Sequence, residues 1–218
     1  MASEKTPTGF QLRAYVFIDS LQPQLAQFMA KTNRVYDPQE YDAALFLELA
    51  PAMEIHTKID QALKATKARL GSLVTERVFG MMQVHHPDQG EVRAAGRAVL
   101  EGSGLTEKDR ARCTILQNKI IRSIEQDHAI AFTGMSQGNM ALQGESVLIM
   151  EAEPAAYLSI ACNEALKAAN VKLIQATVFG ATGRLILSGS ETMIDVAAAA
   201  ATAALQQLND GLAEAKSK

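Results

Sequence analysis

The chain repeats itself at a spacing of about 100 residues, which is larger than the period of any solenoid repeat. Four segments recur in the same order. The matched pairs are Gln22–Phe28 with Gln126–Phe132, Ala50-Pro51-Ala52 with Glu153-Pro154-Ala155, Gln61-Ala62-Leu63-Lys64-Ala65 with Glu164-Ala165-Leu166-Lys167-Ala168, and Val78-Phe79-Gly80 with Val178-Phe179-Gly180. This order predicts a tandem duplication of one unit.

The spacing of the matched segments predicts how the two copies differ. Pro51 and Pro154 lie 103 positions apart, whereas Gly80 and Gly180 lie 100 apart, so the alignment predicts that the second copy is three residues shorter in between. Each copy is large enough to bury its own core. We therefore expect two domains, residues 1–109 and 110–218.

Composition and charge exclude several function classes. Aromatic residues make up 5% and Trp is absent, so the core must consist of Ala, Leu, Ile, Val and Met. Residues 1–109 carry 12 basic and 14 acidic groups and residues 110–218 carry 9 and 10, so no strongly basic half exists to bind nucleic acid. Cys113 and Cys162 show neither metal-ligand spacing nor a disulfide framework.

The sequence also predicts a cytoplasmic protein without a membrane partner. The N-terminus lacks the charged and then apolar pattern of a secretory signal. The longest apolar run, Val196–Leu205, is about half the length that spans a bilayer.

Each copy carries the same order of predicted elements in a small α/β sandwich, with helices packed on an antiparallel or mixed sheet. Pro51 and Pro154 are expected in the first turn of a helix, where a missing N–H costs nothing. The predicted strands are Leu45–Leu49, Ser72–Gly80 and Met81–Val84 in the first copy and Val147–Met150, Lys172–Phe179 and Arg184–Leu187 in the second. The predicted closing helices are Gln89–Leu100 and Glu191–Leu208, and the leading segments are Leu12–Phe28 and Ile115–Phe132.

Several of these segments resemble a known family. Asn163–Val171 is similar to the helix-to-strand signature of bacterial microcompartment shell domains, and Phe179–Arg184 resembles their glycine-containing pore-side loop. The duplication, the leading run Tyr15–Gln24 and the run Thr75–Gly80 are similar to one subgroup, the tandem-domain, circularly permuted trimeric shell proteins whose trimers stack face to face.

The resemblance implies a structural protein and not an enzyme. It implies a homotrimer with six shell domains in a pseudohexagonal disc, which tiles with the hexameric and pentameric shell proteins of one compartment. It also implies stacking of two trimers, and a central pore that opens and closes for small metabolites. No cofactor and no metal are implied.

Glu76 and Arg77 carry the hypothesis of a gate. Neighbouring side chains of an extended backbone point to opposite sides, so only one of the two can face an axis at a time. In a trimer each occurs three times around that axis. The alternative is an exposed turn with an ordinary ion pair. The pore-lining loops would comprise Val78, Phe79 and Gly80 in the first copy and Phe179, Gly180, Ala181, Thr182 and Gly183 in the second.

Lys64 and Lys167 end the same helix motif in the two copies. In the family that this chain resembles, the matching lysine lies along the edge of the tile. A lysine has a long apolar stem and a compact charge, so it can lie flat on a neighbouring backbone. The alternative is a solvated helix lysine.

Other patterns give weaker indications. His85-His86 with Asp88 and Glu91 lack a third ligand at suitable spacing, which favours a surface loop with Asp88 as helix cap over a metal site. Gly180 and Gly183 do not form a phosphate-binding pattern, and glycines at a strand turn explain them better. A trimeric sensor that binds a small metabolite or nucleotide between subunits, and an enzyme with an interface active site, remain alternative functions.

Overall fold

The structure is a computed structural model that describes residues 9–32 and 35–216. The first copy comprises β1 (Gln11–Ile18), α1 (Pro23–Thr32), β2 (Ala43–Ala50), α2 (Glu54–Ala65), β3 (Arg69–Glu76), β4 (Phe79–His86) and α3 (Gln89–Glu101). The second comprises β5 (Thr114–Ile121), α4 (Gln126–Met135), β6 (Ser146–Glu153), α5 (Leu158–Ala168), β7 (Lys172–Thr177), β8 (Gly183–Gly189) and α6 (Glu191–Lys216). Short 3-10 helices lie at Glu107–Asp109 and Ala155–Tyr157.

Each copy forms one four-stranded antiparallel sheet. The strand orders are β1-β2-β4-β3 and β5-β6-β8-β7, so the two sheets have the same topology. The central strand β2 is buried on both faces except at its last residue, which explains its almost continuous apolar sequence. The predicted α/β sandwich is confirmed, and both sheets are purely antiparallel.

The two copies align at a single offset of 103 residues. Ala43 pairs with His86 in the first sheet, and the residues 103 positions later, Ser146 and Gly189, pair in the second. Two of the three strand pairings in each sheet contain an irregularity, and these recur at the same relative places, for example after Leu12 in β1 and after Ile115 in β5. The predicted three-residue shortening of the second copy is therefore wrong.

This register changes which residues correspond at the turn between β3 and β4. The counterparts of Glu76 and Arg77 are Phe179 and Gly180, because the offset of 103 holds on both sides of the turn. The matching letters of Val78-Phe79-Gly80 and Val178-Phe179-Gly180 are a coincidence of composition. The second copy thus keeps the turn at full length but carries other residues there.

The prolines and two of the glycines also lie elsewhere than predicted. Pro51 and Pro154 follow cis peptide bonds and precede α2 and α5, so neither occupies the first turn of an α-helix. Gly80 and Gly183 lie inside β4 and β8 and not at a turn.

The hydrophobic core is continuous across the two copies. One face of the first sheet packs against α2 and α3 in a cluster of its own. Its other face, with Ala14, Val16 and Phe46, belongs to the same cluster as the second copy's Tyr157 and Leu158. The first copy therefore has a core cluster of its own and also shares a second cluster with the other copy, because its sheet is covered on one side by that copy.

No helix within residues 9–32 and 35–216 combines the length and the apolar character that a bilayer span requires.

Candidate functional site

The gate residues predicted from the sequence lie at the tip of the β3–β4 hairpin. Glu76 ends β3 and pairs with Phe79 of β4, which leaves Arg77 and Val78 as a two-residue turn. Glu76, Arg77 and Val78 are exposed, and Arg77 adopts a left-handed backbone conformation with φ +53°. We call Glu76–Phe79 the first tip.

The corresponding hairpin of the second copy, Phe179–Thr182, forms the second tip. Gly180 has φ +97°, so both tips turn through a left-handed residue at the same position. The strand pairing stops earlier than in the first copy, at Thr177 and Arg184, which makes the second tip wider. Glycine adopts this conformation without the steric cost that Arg77 bears.

The two tips lie side by side in one chain. A Cβ atom built on Gly180 would be 2.9 Å from Oε2 of Glu76. The carboxylate of the first tip therefore lies directly against the backbone of the second. The fold brings these two predicted pore residues together, and it leaves Arg77, Val78 and Ala181 exposed around them.

Gly80 and Gly183 are buried, and their contacts explain why they are glycines. A Cβ atom on Gly80 would lie 2.3 Å from the carbonyl oxygen of Ala52, and one on Gly183 would lie 2.5 Å from that of Ala155. Each glycine lets its strand approach the turn that precedes a helix. The interpretation of Gly183 as a turn glycine is therefore wrong.

Behind the tips, a buried carboxylate of the first copy bonds to the backbone of the second. Glu48 of β2 is fully buried, and its Oε1 accepts a hydrogen bond from Nε of Arg13 at 2.7 Å. Its Oε2 accepts the backbone N–H of Ala156, from the second copy, at 3.0 Å. Burial raises the pKa of Glu48, and the hydrogen bonds from Arg13 and Ala156 offset only part of that effect. The guanidinium of Arg13 also lies over the ring of Phe79, 3.8 Å from its centroid.

The side-chain amides of Asn163 and Gln24 also bond across the two copies, and their nitrogens donate to the carbonyl oxygens of Ser20 and Val171. Oδ1 of Asn163 in α5 accepts the backbone N–H of Gln22 at 2.9 Å. Oε1 of Gln24 in α1 accepts the backbone N–H of Leu173 in β7 at 2.9 Å. We call this contact surface, between β1, β2 and α1 on one side and Ala155–Ala168 and β7 on the other, the intrachain seam.

Each side of this seam has a counterpart in the other copy, and both counterparts are uncovered in the single chain. Gln117 and Lys119 of β5, the counterparts of the buried Ala14 and Val16, are exposed. On the first copy, the counterparts of the buried Ala156, Ser159 and Asn163 are also uncovered. These are Met53, which is 68% exposed, and the exposed His56 and Asp60.

Lys64 and Lys167, the predicted edge residues, are exposed at equivalent places. Their side chains are 76% and 58% exposed, and each pairs with an acidic residue of its own helix. Lys64 contacts Asp60 at 2.7 Å, and Lys167 lies 3.9 Å from Glu164.

The adjacent histidines have separate environments. Nδ1 of His85 is 2.9 Å from Oδ2 of the buried Asp42, whereas His86 accepts the backbone N–H of Asp88. The side chain of Asp88 accepts the N–H of Gly90, which confirms it as the cap of α3. Among the described residues, no group of three His, Cys, Asp or Glu side chains could hold a metal ion.

The sequence analysis missed the residues of the seam, although one signal marks them. Glu48 is the sole charged residue of β2, and Glu151 stands 103 positions later in β6. A carboxylate inside an apolar strand needs hydrogen-bond donors when it is buried. Asn163 and Gln24 give no such signal, because exposed amides are common.

Comparison with known proteins identifies relatives along nearly the whole chain. The family described as the CsoS1D N-terminal domain matches residues 12–109. The carboxysome shell protein CsoS1D of Hydrogenovibrio crunogenus is 46% identical over 199 residues, which cover 91% of this chain and 97% of the relative. The carboxysome shell protein CcmP of Synechococcus elongatus is 42% identical, with 92% and 94% covered.

Two solved structures share this fold. The fused permuted hexameric shell protein MSM0275 from the RMM microcompartment is 40% identical with a TM-score of 0.89, and covers 91% of this chain and 98% of its own. The double ringed trimeric shell protein MSM0271 from the same microcompartment is 36% identical with a TM-score of 0.87, and covers 91% and 97%. With its two duplicated antiparallel sheets, the chain belongs to the CsoS1D and CcmP family of tandem-domain microcompartment shell proteins, whose names describe a structural role.

Proposed function

We propose that three copies of this chain close head to tail into a pseudohexagonal tile of a microcompartment shell. The observation that carries the proposal is the pair of uncovered surfaces, on β5 and on α2, that correspond to the two sides of the intrachain seam. The uncovered β5 surface of one molecule would pack against the uncovered α2 surface of the next. Such heterologous contacts generate a ring when the rotation closes.

The number three follows from the duplication. Each chain contributes two copies of the same fold, which act as two wedge-shaped sectors of a hexagon. Six such wedges therefore require three chains. A relative that is 36% identical is described as a trimer, which supports this count. The same relative is described as double ringed, and on that basis we also propose that two trimers stack face to face.

Light scattering coupled to size exclusion, followed by electron microscopy, tests the assembly. We expect particles of three or six chains with a hexagonal outline. A chain that stays monomeric at micromolar concentration contradicts the proposal. Compact trimers without a hexagonal outline that bind ATP by calorimetry would favour the sensor alternative.

For the pore, we propose that the first tips form a gate with two states. In a ring, three tips bearing Glu76 and Arg77 alternate with three uncharged second tips around the axis. Exposed ion pairs contribute about 0–1 kcal/mol each, so three pairs amount to at most a few kcal/mol, which leaves both states accessible. Arg77 keeps a left-handed backbone that glycine would adopt more easily, and such conformations often mark functional positions.

The double substitution Glu76→Ala with Arg77→Ala tests the gate. We expect trimers to form as before and the open pore to become more populated in cryo-EM maps. The matched control is Glu107→Ala with Lys108→Ala, an exposed acid–base pair on the 3-10 helix at Glu107–Asp109, which should leave the pore unchanged. An unchanged pore in the tip variant as well would exclude these side chains as the gate. Small metabolites are the proposed cargo.

We propose further that Lys64 and Lys167 contact the neighbouring tile at its edge, including the hexameric and pentameric shell proteins of the compartment. Their exposure and equivalent placement support this role. Lys64→Ala with Lys167→Ala should reduce sheet formation and leave trimers intact. The control replaces the exposed Lys31 and Lys108, which lie outside the helix motif. Sheets that form equally well in both variants would exclude the edge role.

A further inference from the structure

Glu151 in the second copy occupies the position of Glu48 in the first. Glu48 is the sixth residue of β2, and Glu151 is the sixth residue of β6. Glu48 is fully buried in the intrachain seam, where it accepts the N–H of Ala156. The side chain of Glu151 is 35% exposed in the single chain. A carboxylate is thus retained at the same place on the uncovered face.

Each of the two carboxylates has an arginine beside it, but from a different strand. Glu48 pairs with Arg13 of β1, whereas Glu151 lies 3.8 Å from Nε of Arg184 in β8. Neither arginine has a counterpart in the other copy. Leu116 stands at the position that corresponds to Arg13, and Met81 stands at the position that corresponds to Arg184. Oε1 of Glu151 also accepts the hydroxyl of Thr182 at 2.5 Å. A carboxylate that becomes buried needs such partners.

The donor that corresponds to Ala156 is the backbone N–H of Met53. Met53 lies directly before α2, where backbone N–H groups have no acceptor within the helix. It is 68% exposed, so it is accessible to a neighbouring molecule. A backbone donor is present whatever the side chain is.

Two more of the hydrogen bonds in the intrachain seam, those accepted by Asn163 and Gln24, have carboxylates at the corresponding acceptor positions. Asp60 corresponds to Asn163 and would accept the N–H of Glu125, the counterpart of Gln22. Asp127 corresponds to Gln24 and would accept the N–H of Leu70, the counterpart of Leu173. Asp60 and Asp127 are both exposed in the single chain.

We propose that Glu151, Asp60 and Asp127 form the polar contacts between neighbouring chains, by accepting the N–H groups of Met53, Glu125 and Leu70 across the interface. The partner is a second copy of this chain, and the proposal rests on the head-to-tail ring proposed above. The intrachain seam contains one carboxylate and two amides at these positions. The proposed interface between chains contains three carboxylates, and Arg184 lies beside Glu151 and Lys64 beside Asp60 in the single chain.

Complementation between two variants tests the proposal. Glu151→Arg damages the sheet side of the interface and Asp60→Arg damages the helix side. We expect each variant alone to be folded, by circular dichroism, and monomeric by light scattering. Mixed in equal amounts, they should form a dimer and no larger species, because the mixture contains one intact pair of surfaces.

The outcomes separate this inference from the ring itself. A monomeric wild-type chain would contradict the ring. A trimeric wild type together with a trimeric Glu151→Arg variant would contradict the assignment of Glu151 and leave the ring standing. Monomeric variants whose mixture stays monomeric or returns to trimers would contradict the head-to-tail pairing of these two surfaces.

Milder variants test the hydrogen bonds themselves. Asp60→Asn places the amide of Asn163 at the interface, so we expect association to be retained or tightened. Asp60→Ala removes the acceptor and should weaken association on the order of tenfold, as expected for the loss of one hydrogen bond. Equal affinity of both variants, measured by dilution in analytical ultracentrifugation, would exclude an acceptor role for Asp60.

Discussion

The first and second copies have the same topology and register, but they differ in what covers their sheets. In the first copy the sheet face with the small, apolar Ala14 and Val16 is buried by the second copy. In the second copy Gln117 and Lys119 stand at those places and are exposed. The difference teaches that two equivalent sheet faces can carry different residues, apolar ones where the chain covers the face itself and polar ones where it does not.

The first and second tips also differ in the residues that they carry, and only the first is charged. The first tip carries Glu76 and Arg77, and the second carries Phe179 and Gly180 at the corresponding positions. Neither difference required a change in length. The two tips therefore differ in charge and not in length.

The largest effect that would separate the two copies is expected at their paired glutamates. Glu48→Ala leaves the N–H of Ala156 and the guanidinium of Arg13 without a buried partner, so we expect a loss of about 3–5 kcal/mol in the free energy of unfolding. Glu151→Ala should cost about 1 kcal/mol or less in the free chain, because Glu151 is partly exposed. Urea unfolding at two protein concentrations measures both and separates association from folding. Equal losses would show that the two positions are not differently buried.

Substitution of the buried glycines should have an intermediate effect on stability, and the effect should be similar in the two copies. Gly80→Ala and Gly183→Ala both bring a Cβ atom against a backbone carbonyl, of Ala52 or Ala155, and each should cost about 1–3 kcal/mol. Gly134→Ala in α4 is the control, since it meets no atom within 4 Å and should stabilise the helix by about 0.5–1 kcal/mol. Thermal and urea unfolding provide the measurement. A loss in one copy alone would contradict the shared register.

The smallest effect concerns the tips. Arg77→Gly gives the first tip the residue of the second and relieves a left-handed backbone, so we expect a gain of about 0.5–1 kcal/mol. Gly180→Ala should do the reverse by a similar amount. If Arg77→Gly destabilises the chain by urea unfolding, Arg77 is held by contacts that contribute more than its backbone costs.

The sequence predicted the duplication, the order of elements and the shell-protein family, because strands such as Leu45–Leu49 and the repeated helix motif are local patterns. It named the residues of the second tip but aligned them wrongly with the first, since Val-Phe-Gly occurs in both copies by chance and the true register becomes visible only in the strand pairing. The domain boundary between residues 109 and 110 and the roles of Glu76, Arg77, Lys64 and Lys167 stay predictions.

The shared core could not be predicted from the sequence. Tyr157 and Leu158 look like ordinary core residues of their own copy, and which neighbour they cover depends on how the copies pack. Glu48 was the one accessible signal, because it is the sole charged residue of β2 and an acidic residue, Glu151, recurs at the same place in β6.

The equal length of the copies has a consequence for the curvature of the shell. A hexagon stays planar when its six wedges have the same height and the same opening angle. An insertion confined to one copy would tilt three wedges against the other three and pucker the tile. With one offset of 103 from the first strand to the last, the two copies differ by substitution alone across their sheets, so the ring proposed above would have no such source of pucker.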